Sequence, residues 1–590
     1  KCDSKTKRGS CPTLVSLIML QLTKTCLGLF FLLIFQTSII NQAIAKPLPK
    51  FVDITTQAGI DFEHNSGAFG QKYLPETMGP GCAFIDYNND GWQDILLVNG
   101  KDWPNHTTQR RQTMALYRND GDSDGDGIPE FIDQTTSAGL DLPFYGLGVA
   151  VADYDNDGDL DFYLSCLDLD RLFQNQGDGS FLDQTEISGI LNPSFGTSCA
   201  WFDYDNDGYL DLFVANYVEW SIEADLFCTL DGTHKSYCTP ESYNGQSSKL
   251  FRNRGDGTFA DVSRIARIED KTSKSLGVCI FDFNTDGLAD IFEANDTQPN
   301  KLYQNNGDGT FIEQGMIAGV AFSEDGKATG AMGVDAGDYD GSGRESLVIG
   351  NFSNEMINLY HNEGSFFIDD APIANVGSSS LLTLTFGCFF FDFDLDGQLD
   401  IFTANGHLED EINTVQSEVT YAQIPHLYLN TGNGAFIDVV AKVGPDLQRP
   451  VVGRGTVHGD IDNDGDWDLL VATCGGPVYL YRNDAITTGG VNAPSWIKVL
   501  LVGTESNRNG IGARVSILTE QRKQTRTLRS GASYCSQSEL SFIFGLGEET
   551  QVEQLDVRWP PTLKHRQGRR TVLQNIKANQ QLVIQEDNIN

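Results

Sequence analysis

Basic residues are scarce in this chain. Of 590 residues, 41 are Lys or Arg against 81 Asp or Glu, a formal net charge of −40. That imbalance excludes a nucleic-acid partner, because a phosphate backbone needs a basic surface. Histidine is rarer still, 8 in all, and none falls within the acidic loops described below. Those loops therefore lack the ligands a transition metal would want. P-loop, nucleophile-elbow and zinc motifs are absent. After residue 45 no apolar run approaches the ~20 residues that cross a bilayer. Cysteine is sparse as well. Cys82, Cys199, Cys279 and Cys388 each precede an acidic loop inside an apolar run and read as small core residues. Cys228 and Cys238, in the insertion FCTLDGTHKSYCTP, are the disulfide candidates of an oxidising compartment.

Aspartate, by contrast, is concentrated in one repeated nine-residue loop. The copies are DYNNDGWQD from Asp86, DYDNDGDLD from Asp153, DYDNDGYLD from Asp203, DFNTDGLAD from Asp282, DYDGSGRES from Asp338, DFDLDGQLD from Asp392 and DIDNDGDWD from Asp460. Oxygen side chains at positions 1, 3, 5 and 9, with Gly at 6, suit a hard cation that takes six to eight oxygens around a tight turn. Calcium is the expected ion, since magnesium keeps water and demands a strict octahedron. The ligand sets are Asp86, Asn88, Asp90 and Asp94; Asp153, Asp155, Asp157 and Asp161; Asp203, Asp205, Asp207 and Asp211; Asp282, Asn284, Asp286 and Asp290; Asp392, Asp394, Asp396 and Asp400; and Asp460, Asp462, Asp464 and Asp468. Position 7 supplies a carbonyl in each: Trp92, Asp159, Tyr209, Leu288, Gln398 and Asp466. An additional stretch, DSDGDGIPE, offers Asp122, Asp124, Asp126 and Glu130 with the carbonyl of Ile128; its alternative is a solvated acidic turn. The fifth loop keeps only Asp338 and Asp340, because Ser342 and Ser346 replace the other acids. Six to eight calcium sites are thus expected.

Around each loop the chain repeats short apolar runs. GCAFID and DILLVNG flank the first loop, an LYRN-like run follows, and an FIDQT-like run closes the unit after a GDGTF-like turn. Such runs about Gly turns read as four antiparallel strands, a propeller blade. Seven hairpins and seven third strands are matched by only six trailing fourth strands. FVDIT at Phe51 supplies the seventh and predicts a closed seven-bladed β-propeller, all-β, with a small C-terminal β domain. The expected domains are an export signal over 1–45, the propeller over 46–484 and the β domain over 492–590. The signal reading rests on Lys1, Lys5, Lys7 and Arg8, the apolar run from Leu27 to Phe35, and Ala43-Ile44-Ala45. An uncleaved anchor is the alternative.

These residues resemble FG-GAP/VCBS repeats of integrin-alpha-like propellers. SNRNGIGARV at Ser506, RSGASYCSQSE at Arg529, FGLG at Phe544 and VRWPP at Val557 resemble the ASPIC/UnbV domain. The combination is similar to the cartilage acidic protein class. The resemblance implies exported calcium-binding proteins, secreted, periplasmic or at the cell surface, with recognition or adhesion roles toward a protein or glycan, and no fixed chemistry. Two other functions stay open: an enzyme, lyase- or hydrolase-like, with a site opposite the calcium loops, or a structural matrix component. His64, Glu76, His407, Glu409, Arg454 and His458 are the polar residues a channel-side site would gather. The Asn residues recurring at Asn99, Asn216, Asn295, Asn351 and Asn405 are expected to stabilise turns. A basic strip including Arg508, Arg514, Arg522, Lys523, Arg526 and Arg529 can dock on the acidic propeller, contact an anionic polymer or lie in solvent.

Overall fold

Each acidic loop turns the chain sharply. In the computed structural model, which describes residues 47–104, 106–323, 325–486 and 493–586, the position-6 glycines have positive φ, from 83° at Gly343 to 104° at Gly158. Only glycine adopts that region without a Cβ penalty. Position 4 is left-handed too, at Asn89, Asn156, Asn206, Thr285, Leu395 and Asn463. Two such residues reverse the chain, and the apolar runs on either side pair as a hairpin. The expected signal over 1–45, and Asn492 at the expected start of the last domain, lie outside the described residues.

Seven four-stranded antiparallel sheets follow from these hairpins among the described residues. They span 82–133, 146–183, 196–261, 275–313, 334–369, 385–438 and 453–483. The last range holds only three strands. Its fourth is Phe51–Asp53, which pairs with Tyr479–Asn483 in the register Phe51↔Asn483, Val52↔Arg482 and Asp53↔Tyr481. First strands of successive sheets pack side by side in chain order, and that of the last sheet packs on that of the first. The architecture is propeller-like and nearly all β. The apolar core lies between adjacent sheets: Ile85 and Leu96 of the first meet Val149 and Phe162 of the second, and Val457 and Leu470 of the seventh meet Phe84 and Ile95 of the first. Alternation along each strand puts one apolar set on each face of its sheet, so every sheet serves two such layers.

After the ring come two smaller sheets. Ser495–Val502 lies between Phe542–Gly547, antiparallel, and Gln580–Gln585, parallel. Lys523–Thr527, Arg514–Leu518, Gln551–Arg558 and Arg570–Lys577 form the other, in that order. Ile497, Val499, Val515, Phe544, Val557 and Trp559 fill the space between them. Ring and module belong to one compact unit, Pro49–Asn590. Among the described residues no helix is long and apolar enough to cross a membrane.

Candidate metal corners and a filled channel

The aspartates of each loop divide the work. At position 1 the carboxylate takes backbone N–H groups from inside the turn: Asp86 accepts from Asp90 at 3.0 Å and Gly91 at 2.9 Å, and Asp153, Asp203 and Asp282 do the same. Position 5 receives the N–H of position 7, for Trp92, Asp159, Tyr209, Leu288, Gln398 and Asp466 alike. At position 9 the carboxylate accepts two main-chain N–H groups, one from position 2 of its own loop and one from the end of the third strand. Asp211 takes Tyr204 N at 3.1 Å and Asn253 N at 2.8 Å. Asp94, Asp161, Asp290, Asp400 and Asp468 repeat the pair. In the fifth loop the Ser346 hydroxyl accepts one of the two, from Asn362 N at 3.1 Å.

Three carboxylates or more converge at five places, with candidate ligand oxygens all within 4.8 Å: Asp122, Asp124 and Asp126; Asp153, Asp155 and Asp161; Asp203, Asp205 and Asp211; Asp392, Asp394 and Asp400; Asp460, Asp462 and Asp464. The Asp86 and Asp282 loops are not among these groups. Their position-3 amides, Asn88 and Asn284, donate instead to Asp90 and Asp286, at 2.7 and 2.8 Å. In the extra loop Glu130 stands outside the group and accepts from the Ser123 hydroxyl at 2.7 Å. In the third loop Arg252 covers Asp205 and Asp207, at 2.6 and 3.1 Å.

Burial and neighbouring carboxylates raise the affinity of these acids for protons. Burial first, then like charge, lifts Asp86 and Asp282 to about 6, Asp153 and Asp392 to about 7 and Asp203 to about 8. The electrostatic cost is one a cation removes. Several carboxylate oxygens are buried with no hydrogen-bond donor: Asp205 Oδ1, Asp338 Oδ1, Asp392 Oδ1, Asp460 Oδ1, Asp464 Oδ2 and Asp466 Oδ1. Buried polar atoms rarely go unpartnered. An all-oxygen donor set with orphaned, buried oxygens fits a hard divalent cation.

Sequence reasoning missed a second repeated device. Each third strand ends in Asn, and its side-chain amide crosses to the preceding sheet. Asn175, Asn253, Asn305, Asn362, Asn430 and Asn483 donate to the carbonyls of Tyr87, Tyr154, Tyr204, Phe283, Tyr339 and Phe393, and Asn119 donates back to Ile461 of the seventh sheet. All seven bonds measure 2.7–2.9 Å. The signal was legible as the seven-fold recurrence of Asn in that place. By contrast Asn99, Asn216, Asn351 and Asn405 donate to carbonyls of their own connections, and Asn295 Oδ1 accepts the N–H of Lys274.

The channel between the first strands is occupied by the chain itself. Segment 529–541 bonds to the sheets around it. Gln537 N donates to Cys82 O and accepts, at its carbonyl, from Phe84 N, both at 3.0 Å. Cys535 O accepts from Val149 N, Ser533 pairs with Val334 in both directions, and Glu539 N donates to His458 O. The Arg529 guanidinium donates to Ile280 O and Ala336 O and pairs with Glu345. Tyr534 packs edge-on against Phe386, ring centroids 4.9 Å apart, and donates to Met78 O at 2.8 Å. Gly81 makes this possible, because a Cβ there would stand 1.9 Å from Cys535 O.

Of the polar residues expected to meet near the channel, His458 lies apart, packed on Phe389 and Trp467. The others sit on the face away from the acidic loops but form no acid–base pair. Burial and then Arg454 lower His64 to about 3 and His407 to about 4, and each Nδ1 accepts a backbone N–H. Arg454 is itself buried, donating to Thr77 O, Gly406 O and Gly453 O. Glu409 pairs with Lys72 at 2.6 Å. Burial raises Glu76 to about 7, and Trp103 Nε1 and the Tyr237 hydroxyl donate to its two oxygens at 3.0 and 3.1 Å. A pocket of about 410 Å³ opens beside Glu76, Tyr237, Tyr421 and Arg110. The insertion that carries Tyr237 is strapped by a Cys228–Cys238 disulfide; the other cysteines of the described chain are free and buried.

Both halves of this architecture match known sequence families. Residues 86–164, 168–214, 224–292 and 282–349 match the FG-GAP-like repeat, and residues 503–590 match ASPIC and UnbV. The chain carries FG-GAP-like repeats followed by an ASPIC and UnbV domain. It is homologous to cartilage acidic protein 1. The Homo sapiens protein is 26% identical over 357 residues, 59% of this chain and 48% of that protein; the Mus musculus protein is 25% identical over 355 residues, 59% and 49%. The chain thus spans about half the length of the relatives it matches. Among solved structures, an Agrocybe aegerita lectin that recognises non-reducing terminal N-acetylglucosamine is similar at 17% identity and a TM-score of 0.34, over 60% of this chain and 77% of the lectin. Rhamnogalacturonan lyase YesW is similar at 11% identity and a TM-score of 0.28, over 68% and 81%. Likeness at those scores carries no functional argument.

Proposed function

We propose that this is an exported calcium-binding recognition protein, whose acidic corners hold calcium and whose opposite face meets a protein or glycan at the cell surface or in the matrix. The observation that carries the metal reading is the set of buried, donor-less carboxylate oxygens within the loops. Asp153, Asp203, Asp392 and Asp460 with their loop partners hold the ion, and calcium supplies positive charge and fixes the turn. Export is supported by the Cys228–Cys238 disulfide, which suits an oxidising compartment where calcium is plentiful. Recognition is favoured over catalysis by the state of the polar residues. The buried histidines are neutral and bonded to main chain, and Arg454 is committed to carbonyls. The face away from the loops has the two long insertions, 99–113 and 216–249, and the 410 Å³ pocket.

The test has two arms. Elemental analysis of never-chelated protein should return several calcium ions per chain, and none would refute the metal reading. Glycan and surface-protein arrays should then give a ligand whose binding is lost in Tyr237→Ala. Turnover of a substrate, abolished by His407→Ala, would refute the preference for recognition.

A further inference from the structure

The C-terminal module does not touch all the acidic corners equally. It sits most deeply on the sixth and seventh loops; at the second it only touches main chain and Asn156, with Asn509 Oδ1 accepting from Asp153 N at 2.7 Å and Arg508 N donating to Asn156 Oδ1 at 2.8 Å, and at the fifth Arg514 donates to Gly343 O. Gly545 N donates to Asp392 Oδ2 at 3.2 Å, and Gly547 N to Leu395 O at 2.9 Å. Lys498 Nζ reaches Asp460 Oδ2 at 3.1 Å and Glu539 Oε1 at 2.7 Å, and Asp460 N donates to Glu539 Oε2 at 2.9 Å. Trp496 packs against Gly465, where a Cβ would stand 2.0 Å from the indole. The extra loop at Asp122, Asp124 and Asp126, in contrast, is exposed.

Contact with the module buries the inner carboxylates of these two corners and leaves Asp394, Asp396, Asp462 and Asp464 half-buried. Asp392 is 1% exposed, and Asp460 and Asp466 are 0% exposed, yet each keeps an oxygen with no donor. At the seventh corner the five loop aspartates and Glu539 meet two cations, the Lys498 ammonium and the Arg482 guanidinium near Asp462 and Asp464, and at the sixth the four loop aspartates meet one, Arg526. Covering such a cluster without further positive charge buries unpaired carboxylate, which is costly. Lifting the module would let water solvate it. A cation in the cluster removes the cost only in the covered state.

We infer that a divalent cation in the sixth and seventh corners fastens the C-terminal module to the ring, so that calcium decides whether the module and its channel segment stay seated. The inference rests on the reading of these loops as calcium sites. Because linkage is reciprocal, the seated module must raise calcium affinity at the two corners by the same factor that calcium favours seating, on the order of 5–150-fold. The corners that the module leaves open carry no such coupling.

Hydrogen exchange of the full chain, read peptide by peptide across a calcium titration, tests this. Chelation should raise exchange of 495–502 and 529–541 by roughly tenfold or more, while the strand Gly196–Phe202 stays protected. Asp464→Asn should move the calcium midpoint for 495–502 upward by roughly 5–150-fold, and Asp122→Asn should leave it in place. Should Asp464→Asn fail to fold, the wild-type titration alone decides the matter. Calcium bound by the protein, measured calorimetrically in the same samples, with no change at 495–502 and 529–541 would overturn the fastener alone. No calcium bound at all would overturn the metal reading with it.

Discussion

Asn305→Ala removes one of the seven side-chain bridges between sheets without altering any carboxylate of the acidic loops it spans. The amide donates to Tyr204 O at 2.9 Å and Ala289 O at 3.2 Å, and its oxygen accepts Gly307 N at 2.9 Å. The residue is 1% exposed, so water cannot replace it. Each net bond is worth about 1 kcal/mol, and each stranded buried acceptor costs about 1–3 kcal/mol. With Ala289 partly buried, the expected loss is about 2–4 kcal/mol. A unit this large unfolds with an entropy near 1 kcal/mol/K, so Tm should fall by roughly 2–4 °C. Asn483→Ala provides the internal comparison. Asn483 makes the same bridge to Phe393 O, but its Oδ1 is buried without a donor. Removing it relieves an existing penalty and should cost roughly 1 kcal/mol less. Denaturant unfolding in saturating calcium measures both. A loss under about 0.5 kcal/mol for Asn305→Ala, or a larger loss for Asn483→Ala, would refute the view that these amides bind sheet to sheet.

Chelation should lower Tm by roughly 2–7 °C, since five converging groups with affinities on the order of 10⁻⁴ to 10⁻³ M each add about 0.4–1.4 kcal/mol at about 1 mM calcium; unchanged melting would exclude the metal role. In chelator, stability should fall as pH rises from about 4 to 8, because acids lifted to about 6 at Asp86 and about 8 at Asp203 keep protons that the unfolded chain releases; calcium should flatten that slope. Glu76, raised to about 7 by burial, contributes stability that is complete near pH 4 and lost by pH 7. Glu76→Gln should therefore gain up to about 3 kcal/mol above pH 7 and nothing at pH 4, as read by denaturant midpoints. Gly81→Ala places a methyl 1.9 Å from Cys535 O and should destabilise by about 1–3 kcal/mol or more, with faster hydrogen exchange across 529–541.

The ring was legible in the chain because its signals are local. Asp, Gly and alternating apolar residues recur within a few positions of each other, and the stray FVDIT strand could be assigned by counting. The acidic loops were legible as a donor set for the same reason. What escaped were contacts set by distant chain. Nothing near Ser530 says that it will reach Val151 O, or that the residues around Tyr534 will run through the ring. The basic strip could be read three ways. The structure puts Arg529 on Glu345 and Arg514 on Gly343 O, because those sheets present an acid and a carbonyl that no sequence window contains. The neutrality of His64 and His407 was illegible as well. It comes from burial beside Arg454, a residue far along the chain from His64.

The pairing of Phe51–Asp53 with Tyr479–Asn483 sets an order on biosynthesis. A ribosome makes the closing segment before every other strand of the ring, so that segment waits, unmatched and open to wrong pairing, until residue 483 has emerged. Only then can the circle shut. Residues 529–541 arrive later still, so the nascent ring must either close around an empty hole or hold a gap for its own tail to enter.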